Sequence, residues 1–142
     1  MLRTISTLVI GAVLGFGMTH AGGAGHGMVS VKVVSERDVV EKLDGKDIKA
    51  SVVEVTIDPG QGSMPHRHTG PVFGYVLEGD YEIALNDQPV KKLKAGDTFY
   101  ESLGTIHRVS RNPSEKTKTR LLAVILPPRD AKELTVPVGA KK

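Results

Sequence analysis

Gly60-Gln61-Gly62-Ser63-Met64-Pro65-His66-Arg67-His68-Thr69-Gly70-Pro71-Val72-Phe73-Gly74-Tyr75-Val76-Leu77-Glu78-Gly79 places two histidines one residue apart, just ahead of an apolar run that ends in a turn. In an extended segment, residues two apart point to the same face with Cα atoms about 6.6 Å apart, so both imidazoles reach one ion while Arg67 faces away. Outward from this stretch the chain continues as short strands and turns. Val29–Val33 alternates with period two, and Ser51–Ile57 is rich in β-branched residues. Val72–Leu77, Tyr81–Leu85, Thr98–Tyr100, Ile106–Ser110 and Leu121–Leu126 extend the series, and Asp44-Gly45 is a hairpin-type turn signal. Strands at such short intervals predict an all-β sandwich or barrel. Ser35–Leu43 is expected to hold one or two helical turns, and no internal repeat is visible.

At 142 residues, with 39% hydrophobic and 25% charged positions, the chain has the make-up of one soluble domain. A formal net charge of +3, 4% aromatic residues and no Trp leave little stacking material for nucleic acid. The basic stretches Lys91–Lys94 and Arg111–Arg120, interleaved with Asp97, Glu101 and Glu115, read as a solvated face, so no nucleic-acid partner is expected. Cysteine is absent. Any metal site must therefore be built on imidazole and carboxylate.

The first residues have the layout of a secretory signal peptide: a positive start at Met1-Leu2-Arg3, an apolar run from Ile5 to Phe16, then small residues. Cleavage is expected after Ala21, with Gly22-Gly23-Ala24 as a second choice, and the competing reading is an uncleaved anchor helix. The run is short of the roughly 20 residues of a comfortable span, so no stable membrane span is expected after cleavage. The chain thus divides into a signal peptide (1–21), a flexible Gly-rich lead-in (22–28) where His26 is solvated, a β-barrel (29–136) and a tail (137–142). The expected location is periplasmic or secreted.

A third histidine, in Gly104-Thr105-Ile106-His107, follows Gly96 on a later strand. With it the sequence resembles the cupin superfamily. The family's first motif, G-x5-H-x-H-x3,4-E-x6-G, is met by Gly60, His66, His68 and Gly79, and its second, G-x5-P-x-G-x2-H-x3-N, by Gly96, Gly104 and His107. The resemblance implies a small jelly-roll β-barrel with a metal bound by His66, His68 and His107, and pairing as a homodimer. Three departures matter. Val72 stands where the family has a metal-binding Glu, Ser102 replaces the Pro, and Asn112 comes one residue late.

Three neutral imidazoles leave a divalent charge uncompensated, which makes the ion more Lewis-acidic and leaves more positions open. Nitrogen donors suit a divalent transition metal (Fe, Zn, Mn, Ni or Cu) better than Mg or Ca. Glu101, six residues before His107, is the carboxylate that can compensate if its face is the barrel interior. It would then be a fourth ligand, a partner to an imidazole N–H, or a catalytic acid/base. Gln61 and Tyr75 are polar neighbours of the motif, and Tyr75 alternates with Phe73 and Leu77 as a packed strand residue. Together with the leader-like start, the resemblance implies an exported metal-binding protein, read as a metalloenzyme, oxygenase- or isomerase-like, acting on a small organic molecule. The alternatives are a non-catalytic small-ligand or metal-binding barrel, or one whose histidines are hydrogen-bonded core or surface residues.

Overall fold

The computed structural model describes residues 28–139. The expected signal peptide, the lead-in as far as residue 27 with His26, and residues 140–142 lie outside the described residues. The described chain forms eleven strands: β1 (Val29–Leu43), β2 (Lys46–Ile57), β3 (Gly62–Ser63), β4 (His66–His68), β5 (Val72–Glu78), β6 (Asp80–Leu85), β7 (Lys91–Lys94), β8 (Thr98–Glu101), β9 (His107–Arg111), β10 (Thr119–Ile125) and β11 (Thr135–Pro137). They make two antiparallel sheets. One runs β1-β2-β10-β5-β8, the other β11-β4-β9-β6-β7 with β3 paired to β9. This is the expected all-β, jelly-roll architecture. No helix among the described residues is long and apolar enough to cross a membrane.

Alternation decides which side chains fill the space between the sheets. On β10, Thr119, Leu121, Ala123 and Ile125 are buried, while Arg120, Leu122 and Val124 face the other side. On β5, Val72, Gly74 and Val76 are buried and Phe73, Tyr75 and Leu77 are exposed. Tyr75 is therefore not the packed residue expected from its pattern, because the run Phe73-Tyr75-Leu77 lies on the outer face. The inward residues form two groups. One is Ile57, Val76, Tyr81, Ile83 and Leu121. The other is Val53, Val72, Ala123 and Ile125.

Ser35–Leu43 is strand and not helix. Asp44 and Gly45, at φ 48° and 73°, form a tight two-residue connection that brings Lys46 opposite Leu43, and β2 then runs back along β1 until Ile57 stands opposite Val29. Register shifts between Val33 and Ser35 and between Asp38 and Lys42 break the period-two pattern, so the sequence of this segment hides its extended conformation. Tertiary pairing overrides local propensity here.

Gly79 links β5 to β6 and so carries the chain from one sheet to the other. Its φ is 78°, and a Cβ there would come 2.4 Å from the Lys118 carbonyl oxygen, which excludes other residues. The basic stretches are solvated, as their composition suggests. Lys91–Lys94 is the exposed edge strand β7, where lysines discourage sheet-to-sheet association. Arg120 is held by Glu54 at 2.8 Å and Glu78 at 3.3 Å, and Lys118 by Asp58 at 3.1 Å.

Candidate metal centre

Strands β4 and β9 pair so that His66 stands directly opposite His107. Opposed residues of an antiparallel pair share a face, and His68, two residues along β4, shares it too. The ring centroids of His66 lie 4.9 Å from His68 and 5.0 Å from His107, with 6.1 Å between His68 and His107. One ring nitrogen from each falls within 4.8 Å of the others, near enough to share an ion.

Each ring is oriented from behind. His66 Nδ1 donates to the Met64 carbonyl at 2.8 Å, since a carbonyl can only accept, and this leaves Nε2 as the lone-pair nitrogen. His107 Nε2 shares a hydrogen bond of 3.1 Å with the buried Tyr81 hydroxyl, which is bonded at 2.8 Å to Ser110 Oγ. The nitrogen of His107 left facing the site is Nδ1. Burial pushes the Tyr81 hydroxyl pKa up, so it remains a neutral partner. Tyr81 was not singled out from sequence, although its alternation with Ile83 and Leu85 marks it as inward-facing.

Just before His107, Gly104 takes φ 83° in the turn 102–105, where Thr105 N–H donates to Ser102 O at 3.1 Å and the two side-chain hydroxyls lie 3.0 Å apart. Ser102 thus closes by hydrogen bonding the turn that the family stiffens with Pro. Asn112 is buried and serves the fold: its Nδ2 donates to the carbonyls of Ile57 and Thr117, and its Oδ1 accepts from Ser114 N–H. Gln61 joins this stitch through its backbone carbonyl, which accepts from Asn112 N–H at 2.9 Å.

Glu101 faces the interior and is 2% exposed. Its Oε1 lies 3.1 Å from His107 Nδ1 and its Oε2 3.7 Å from His68 Nε2. Neither oxygen is aligned for a hydrogen bond, and among the described residues His107 Nδ1 and His68 Nδ1 are likewise without partners. Burial raises the Glu101 carboxyl pKa, and the contact with His107 and the positions of His68 and His66 bring it back below the ordinary value. Burial lowers the His66 imidazole, and pushes His68 down to about 4. Buried polar groups are normally satisfied, so the Glu101 oxygens and His107 Nδ1, close together without aligned partners and beside two further imidazoles, have the chemistry of a cation-binding donor set.

A cupin domain matches residues 53–125, just over half of the chain. The chain belongs to the cupin family. Among solved structures, this cupin is similar to an uncharacterized conserved protein with a double-stranded β-helix domain from Klebsiella pneumoniae, at 24% identity and TM-score 0.56, covering 78% of this chain and 85% of that one. It is also similar to KdgF from Halomonas sp., at 24% identity and TM-score 0.54, covering 72% and 82%. A third is the DMSP lyase DddQ from Ruegeria pomeroyi, at 19% identity and TM-score 0.54, covering 63% and 43%. No curated protein matches the sequence significantly. At these identities the likenesses speak for the fold.

A separate hollow of about 660 Å³ lies between the edges of β7 and β8, lined by residues that include Ile83, Leu85, Leu93, Phe99 and Tyr100. It contains no carboxylate or imidazole, so it offers apolar surface and not the chemistry of the histidine cluster.

Proposed function

We propose that this chain is an exported cupin whose His66, His68 and His107 hold one divalent transition-metal ion and that it acts on a small organic molecule. The observation that carries this reading is the convergence of three imidazoles, with one ring nitrogen of each within 4.8 Å of the others, beside polar atoms that lack partners among the described residues. When bound, the ion supplies Lewis acidity, and for a redox-active metal electron transfer, at positions the protein leaves open. The chain's own contribution is orientation: Met64 O fixes the His66 ring, Tyr81 fixes His107, and the β4–β9 register holds both on one face. That a DMSP lyase shares this fold supports a small-molecule role without choosing a reaction, because one fold hosts many chemistries. Export rests on the leader-like residues 1–21.

One experiment tests the proposal: the host is fractionated, and the protein, purified without a His-tag from the fraction that holds it, is sequenced from its N-terminus and analysed for metal. The expected result is a terminus near Gly22 and one transition-metal ion per chain, lost in His66→Ala and His107→Ala while β-rich circular dichroism persists. Full metal content in both variants would place the ion elsewhere, and a terminus at Met1 in the cytosol would remove export.

A further inference from the structure

Val72 and Glu101 are direct register partners across the β5–β8 pair, both inward-facing and both almost fully buried. Side chains so opposed have Cβ atoms about 5 Å apart, so a carboxylate on either strand addresses the same region of the interior. The family pattern puts its carboxylate at the β5 position. This chain has Val there and a Glu across the ladder.

We propose that Glu101 of β8 is the fourth protein ligand of the metal centre, supplying from the neighbouring strand the carboxylate that Val72 lacks. The proposal rests on the three-histidine reading above and deepens it.

The competing role for a buried glutamate is structural, and this chain contains the comparison. Glu82, the other buried carboxylate among the described residues, is held by Arg111 and has Lys92 at 3.9 Å. Among the described residues Glu101 has no Lys or Arg in its ion pairs, and only His107 and His68 stand within salt-bridge distance. A carboxylate kept for the fold alone is paired or hydrogen-bonded, because leaving both oxygens unsatisfied in the interior is costly. Those oxygens instead lie 3.1 Å from His107 Nδ1 and 3.7 Å from His68 Nε2, beside a cluster whose mutually close donor atoms are those of the three histidines. A His3Glu set also lowers the net charge of a bound divalent ion from +2 to +1 and closes one position that a three-histidine site leaves open.

Cobalt(II) titration of the full chain, followed by visible absorption, tests this. Glu101→Gln keeps size and removes the charge, and is expected to weaken Co(II) binding at least 10 to 100-fold and to shift the absorption bands. In the Glu101→Gln background, Val72→Glu returns a carboxylate to the family's position and is expected to restore affinity and bands. Wild-type affinity and spectrum in Glu101→Gln would overturn the proposal. So would a folded Val72→Glu/Glu101→Gln protein that stays as weak as Glu101→Gln, since Glu101 would then act through His107 and not on the ion. His66→Ala separates the two levels: Co(II) binding retained there defeats the three-histidine reading itself, whereas binding lost there and unchanged in Glu101→Gln defeats only the fourth ligand.

Discussion

Around Ile57, Val76, Ile83 and Leu121 the space between the sheets is filled by apolar side chains, and the Tyr81 hydroxyl among them is bonded to both Ser110 and His107. Around Val72 and Ile125 the interior instead meets Glu101, His68 and His107, each with polar atoms that have no partner. The same two sheets build both regions, so the difference lies in what the inward positions carry. One region has the composition of a core that stabilises the fold. The other holds polar donors in a desolvated interior, the arrangement on which the metal-binding proposal rests.

The contrast breaks most visibly under truncation of the apolar region. Ile57 is fully buried, and Ile57→Ala should cost about 2–5 kcal/mol in urea denaturation, with no change in metal affinity per folded molecule. A comparable loss of metal affinity in the folded variant would show that the two regions are not separable.

Acid sharpens the comparison from the other side. His68 titrates near 4 in the folded chain against about 6.5 when unfolded, so its contribution to stability is whole above pH 6.5 and is lost as pH falls toward 4. Across that window the unfolded chain takes up a proton that the folded chain refuses, a difference of about 3 kcal/mol. The lowered His66 and Glu101 act in the same direction. Denaturation of metal-free protein at pH 7, 5.5 and 4 checks this, and a flat profile would contradict it.

The smallest effect is the most telling. Burial disfavours the Glu101 carboxylate and the neighbouring imidazoles favour it, so Glu101→Gln should leave the metal-free protein within about 1 kcal/mol of wild type even as it binds metal less tightly. A metal-free variant destabilised by several kcal/mol would assign Glu101 to the fold, alongside Glu82.

Much of this was legible in the residues. The spacing of Gly60, His66, His68, Gly79, Gly96, Gly104 and His107 is a local property of the chain, and it carries the barrel and the histidine triad because turns and alternation act over a few residues. The Asp44-Gly45 turn was readable for the same reason. The long β1 was not, since its bulges scramble the period-two signal and its conformation depends on pairing with β2. Nor was the outward turn of Tyr75, because alternation gives two faces without saying which one is inside. Tyr81 is 26 residues from His107, and only the β6–β9 pairing brings them together. Glu101 stood out in the sequence as an acid near a histidine. That it faces inward, stands opposite Val72 and has no Lys or Arg partner among the described residues was decided by the register of β5 with β8 and the closure of one sheet on the other. Those are non-local contacts, which no spacing along the chain encodes.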